Sequence, residues 1–101
     1  MNWSEKYRLA GKSWVELNAA ASLLEETKSA NLSQMMLSNH ADSVSKAEML
    51  AKASPRWTEY IEAMVEARRK ANLARVEMKW AEMKAQEQSS QEATARVERR
   101  I

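Results

Sequence analysis

An all-α fold is predicted: a long antiparallel helical hairpin with a short helix at its turn. Three observations carry this. The 101 residues hold one Gly and one Pro, too few for the turns of an all-β chain. Ala, Glu, Lys, Arg, Met and Leu dominate the remainder, and these are the residues that cost a helix least. Two segments show apolar residues at alternating spacings of three and four, the signature of a helix with one buried face. The length suits a single small domain, residues 1–101.

The first helix is expected over about residues 3–38, starting at Asn2 or Ser4. Tyr7, Ala10, Trp14, Leu17, Ala21 and Leu24 form a heptad-like seam. Gly11 falls inside it, and Ser13 with Glu16 matches a capping box that could restart the helix there. An interior Gly costs only about 1 kcal/mol relative to Ala, so the helix is expected to continue, with a bend. After Leu24 the polar run "EETKSANLSQ" interrupts the seam, which resumes at Leu32, Met35, Met36 and Leu37.

"SNHADSVS", residues 38–45, reads as the loop, because Asn, Asp and Ser divert backbone hydrogen bonds into turns. Ser45 and Glu48 form a capping box for a short helix over 46–53. Ser54-Pro55 restarts the chain, with Ser54 as N-cap and Pro at the first helical position. The final helix is expected over 55–97. At about 1.5 Å per residue it spans roughly 60 Å, a length that only another long helix can cover.

That helix carries two stripes. Tyr60, Met64, Ala67, Ala71, Ala74, Met78, Ala81 and Ala85 form one, rich in small residues that permit close approach. Ile61, Val65, Leu73, Val76, Trp80 and Met83 form the other. One helix neighbour satisfies one stripe, so a second subunit or a protein partner is expected on the other. A homodimer with coiled-coil-like packing is the favoured assembly. The protein-interface residues assigned on this basis are Leu73, Val76, Trp80 and Met83. Of the four tryptophans, Trp14 and Trp57 fall on seams and read as core. Trp3 and Trp80 are the better candidates for intermolecular contact.

Net charge is +2, from 16 Lys+Arg against 14 Asp+Glu, and the excess lies after residue 54. Arg68, Arg69, Lys70 and Arg75 form the one basic cluster, a charged rim or a phosphate-binding edge with Trp80 available to stack on a base. Nearby Glu62, Glu66, Glu77 and Glu82 dilute its potential, so direct nucleic-acid binding ranks below a protein partner. Catalysis is not expected, and neither is a cofactor or a metal. The chain has no Cys and a single His, His40, in the predicted loop, and one Gly cannot build a phosphate loop. No run is apolar enough to span a membrane, and "MNWSEKYRLAGK" has no secretory apolar region; a cytoplasmic protein is expected.

The second half also resembles a loose group of small helical proteins of tailed phages and prophages. The resemblance runs over residues 46–100. It rests on the short Ala-rich helix, the restart Ser54–Trp57, Tyr60, Ala67-Arg68, and the closing "EATARVE" at Glu92–Glu98. Such proteins often belong to the recombination and replication region. The resemblance therefore implies a non-enzymatic accessory that binds a phage or host protein of DNA metabolism. An oligomeric single-strand-binding accessory and a structural coiled-coil component are the other two readings.

Overall fold

In the computed structural model, which describes residues 1–100, four helices follow in order: α1 Trp3–Glu26, α2 Lys28–Ser38, α3 Val44–Lys52 and α4 Pro55–Arg100. They form a rod of 84 × 19 × 15 Å. α1 lies antiparallel along α4, and α2 and α3 fold into a knot at one end. The chain is an all-α helical hairpin with a short helix at its turn.

The register can be read from four contacts. The backbone N–H of Trp3 donates to Gln88 Oε1 at 3.3 Å, and Gly11 faces Met78. Arg68 reaches Ser22 and Glu25, and Tyr60 meets Thr27. Both predicted seams face inward at this junction. Ala21, Ala71 and Ala81 are buried at its centre, and Tyr7, Trp14, Met64 and Met78 are half-buried along it. Small side chains at the contact bring the two backbones close, which keeps the rod narrow and its core thin.

α1 begins where expected, its first turn capped by Asn2 Oδ1, which accepts from Glu5 N at 2.8 Å. It runs through Gly11 without interruption. The single expected helix over 3–38 is instead divided at Thr27, with φ −92° and ψ 1°. Thr27 Oγ1 donates to the Leu23 carbonyl at 2.7 Å, and the Tyr60 hydroxyl donates to the Leu24 carbonyl. The Leu23 carbonyl keeps its backbone bond from Thr27 N at 3.0 Å, so the hydroxyls add second partners at the last carbonyls of α1, and a Thr hydroxyl bonded one turn back bends a helix. The turn is redirected, not lost, since Asn31 N still donates to Thr27 O at 3.0 Å.

The loop also differs in detail. α3 starts at Val44, and its cap is Ser43, whose side chain accepts from Lys46 N at 3.2 Å, in place of the expected Ser45. Asn39 draws α3 against the end of α2, donating from Nδ2 to Ala47 O at 2.9 Å. That bond shortens the connection and leaves Ser43 as the extended residue. Glu48 pairs with Lys52 at 2.7 Å instead of closing a capping box. At the next junction Ser54 acts as predicted: its hydroxyl accepts from Trp57 N at 3.3 Å and opens α4.

The largest apolar cluster sits at this tip. Trp57 packs with Met35 and Ala51, backed by Leu32, Met36, Tyr60 and Ile61, and its ring stacks on Tyr60 at 5.8 Å. At the opposite end, α4 continues three residues past the expected 97. Residues 89–100 project beyond the start of α1, and all but Ala95 are exposed.

Two substitutions test these details by urea denaturation. A Cβ at Gly11 would meet Met78 Sδ at 3.7 Å, an ordinary contact, so Gly11→Ala should stabilise the chain by about 0.5–1 kcal/mol through helix propensity alone. His40 holds φ 52° just past the end of α2, a conformation that costs a side-chain-bearing residue about 1 kcal/mol. His40→Gly should recover most of that.

Candidate protein interface

α4 has one helical neighbour along most of its length, and the inner stripe takes all of it. The outer stripe is left in solvent: Leu73 is 52% exposed, Val76 63%, Trp80 48% and Met83 49%. Their spacings of three, four and three align them along the face of α4 nearly opposite α1. All four assigned interface residues therefore lie together and uncovered. Ile61, assigned to the same stripe, belongs instead to the tip cluster. Val65 is exposed and lies on the same side of α4 as the other four, about two turns before Leu73.

Trp80 is edged by charge. Lys84 Nζ lies 4.7 Å from the centre of its ring, a cation–π contact, and Lys84 also pairs with Glu87 at 3.3 Å. Trp3, the other tryptophan expected at the surface, is half-buried and carries Lys6 over its ring at 4.2 Å. Its backbone bond to Gln88 makes it part of the hairpin's closure. Trp14 borders an open groove of about 530 Å³ with Tyr7, Gly11, Val15 and Met78. Trp57 is core, as its seam position indicates.

The basic cluster does not act as a unit. Arg68 turns inward across the α1–α4 junction. Its Nε and Nη2 donate to the Glu25 carboxylate at 2.8 and 2.7 Å, Nη1 donates to Asn18 Oδ1 at 2.8 Å, and Nη2 reaches Ser22 Oγ at 3.4 Å. A planar guanidinium engaging a carboxylate through two parallel bonds is the strongest geometry such a pair has. Arg68 is thus a clamp between helices, and its assignment to a charged rim or phosphate edge is corrected. The physical reason is position: it follows Ala67 of the inner stripe, so its side chain leaves α4 along the edge of α1.

Arg69 points outward and pairs with Glu66 at 2.7 Å on its own helix. Lys70 and Arg75 are exposed and make no ion pair among the described residues. The Arg68 hydrogen bonds hold the Glu25 carboxyl below the usual glutamate range, and Arg69 does the same for Glu66. Sequence reasoning missed the clamp and the Tyr60 hydroxyl that caps α1. Asn18, Ser22 and Glu25, all on one edge of the first seam, were the available signal.

No group of three or more metal-ligating side chains occurs among the described residues. No helix among them is long and apolar enough to cross a membrane. No family model, curated protein or solved structure matches this chain.

The clamp has a pH signature. Because the folded-state carboxyl of Glu25 is depressed, its contribution is complete above the ordinary glutamate range of about 4.3. It is lost as pH falls through the lower folded value. Glu25→Gln should therefore lower the urea midpoint at pH 7, and the difference from the unaltered chain should close in acid. Glu66→Gln should matter less at pH 7, since its pair lies within one helix and in solvent.

Proposed function

We propose that this chain is a non-enzymatic adaptor whose working surface is the outer face of α4. The observation that carries the reading is the row Leu73, Val76, Trp80 and Met83, each about half exposed or more on a helix with no neighbour on that side. Large apolar side chains aligned at helical spacing suit a partner helix laid along them. Trp and Met supply broad, adaptable contact area. Arg69, Lys70 and Arg75 give the row a charged border. The resemblance to small phage helical proteins supports a role beside DNA recombination or replication, in the cytoplasm of an infected or lysogenic bacterium. The partner is then a phage or host protein of that machinery.

A second reading, an oligomeric single-strand nucleic-acid-binding accessory, draws on the ring of Trp80 beside Lys79 and Lys84. It is weaker than the sequence suggests, because Arg68 is committed to Glu25 and Arg69 to Glu66. A structural coiled-coil component would use the same face but grow into large assemblies.

Size exclusion with light scattering, with and without a fluorescent oligonucleotide, separates the three. A small discrete species that ignores the oligonucleotide at low and moderate salt is expected. Co-elution that weakens steeply as salt rises would overturn the adaptor in favour of phosphate contacts, and open-ended growth with concentration would favour the structural component. Trp80→Ala should leave helicity by circular dichroism unchanged while weakening association, since the ring contributes little to the hairpin's own packing.

A further inference from the structure

We infer that residues 39–43 are a hinge at which two copies of this chain exchange halves, with α1 and α2 of each packing on α3 and α4 of the other. The outer face of α4 takes no part, so the inference goes beyond the reading of that face and does not rest on it.

Almost all the packing crosses this one segment. Arg68 and Tyr60 of α4 bond to α1, Met35 of α2 packs with Ala51 and Trp57, and Gln88 receives the N–H of Trp3. Each of these joins a residue before 39 to one after 43. By contrast, α1 meets α2 and α3 meets α4 only slightly. A chain that opens here and closes on a second copy therefore keeps all of these contacts, and exchange of identical elements is a low-cost route to a dimer.

The segment is also the strained point of the backbone. His40 holds φ 52°, alone among the non-glycine residues described, and a residue with a Cβ is disfavoured in that conformation. Residues 39–43 contain no Gly to relax it. Two bonds from Asn39 hold the closed turn: Nδ2 donates to Ala47 O at 2.9 Å, and Oδ1 accepts from Ala41 N at 3.2 Å. Opening releases the left-handed residue and gives up those bonds and the Ser43 cap.

The apolar pattern fits the opened form better than the closed one. Drawn through the hinge as one helix, Ser33, Leu37, His40, Val44, Ala47 and Ala51 fall on a single face, at alternating spacings of four and three. In the closed form that stripe is broken at its middle. Leu37 is 77% and Val44 75% exposed, while Ala47 and Ala51 are buried. In the exchanged pair the two hinges lie side by side and antiparallel at the two-fold axis. Leu37 of one copy then meets Val44 of the other, and both are withdrawn from water.

Closing a short connection within one chain acts as an effective concentration of roughly millimolar order, so exchange advances only as the chain is concentrated. Release of His40 and cover for Leu37 and Val44 bring the crossover below that level. The exchanged dimer presents the outer face of α4 twice, where the closed chain presents it once.

The test mixes two variants of the full chain, Glu25→Arg and Arg68→Glu. Each alone sets like charges across the α1–α4 seam. In an exchanged heterodimer one seam regains Glu25 against Arg68, and the other holds the same pair with its charges reversed. The two are mixed in equal amounts, incubated in moderate urea and returned to buffer. Native mass spectrometry should then show a dimer with one chain of each kind, and its urea midpoint should lie above that of either variant alone. Chains that stay separate, with both midpoints unchanged by mixing, overturn the inference.

Sedimentation reads the unaltered chain, which should pass from monomer to dimer below about 1 mM. Leu37→Gln with Val44→Gln, both exposed in the closed form, should raise the dissociation constant at least about tenfold. His40→Gly should raise it by a similar factor, because Gly relaxes the closed turn. Trp80→Ala, on the outer face, should leave this dimer unchanged. A dimer lost on Trp80→Ala but indifferent to the hinge substitutions overturns the exchange and supports the outer face as the interaction surface. A monomer at every concentration overturns the exchange and leaves that face open to a different protein.

Discussion

Alanine at Ala21, Ala71 and Ala81 lets α1 and α4 lie almost backbone to backbone, and the rest of the molecule follows from that closeness. A seam of small residues gains dispersion contact between main chains, but the larger side chains along it, such as Tyr7, Trp14, Met64 and Met78, are left only half-buried. No large side chain among the described residues is fully buried. The hairpin is therefore narrow, and its stability cannot come from a thick hydrophobic centre of the kind a globular domain of this length would build.

What the seam lacks, its ends and edges provide. Trp57 closes the tip, and the stacked Tyr60 sends its hydroxyl to the Leu24 carbonyl, joining apolar packing to helix termination in one residue. Arg68 holds the middle, binding three residues on successive turns of α1. Gln88 receives the first N–H of α1 at the far end. Each of these sets register as well as energy: slipping α1 by one turn would leave the guanidinium and the carbonyl without partners, and unpaired groups of that kind are costly.

The same closeness explains the surface. A helix wrapped by several neighbours can hide several apolar faces, whereas α4 in a two-helix rod hides one. Leu73, Val76, Trp80 and Met83 have no intramolecular place to go. The exposed row is thus a consequence of the architecture and the basis for assigning it to an intermolecular contact. The clamp narrows what that contact recognises, since withdrawing Arg68 from the surface leaves a border of mixed charge in place of a continuous cationic edge.

Much of this was legible in the sequence for a simple reason. Helix propensity and apolar spacing are local properties, and they depend on the residue and its near neighbours alone. They determined the all-α class, the hairpin, the Ser54-Pro55 restart, the two stripes of α4, and the assignment of Trp57 to the core. The division of the first helix at Thr27 was not legible, because it depends on a hydroxyl supplied by Tyr60, 33 residues away. Nor was the start of α3 at Val44 with Ser43 as its cap, which Asn39 decides by reaching Ala47. Arg68 is the clearest case: as a residue in a row it belongs with Arg69, Lys70 and Arg75, and only the packing of α1 against α4 puts Glu25 beneath it. The composition of each face was written in the sequence; which charges remain on the surface was decided by the tertiary structure, because an ion pair between helices exists only once their register is set.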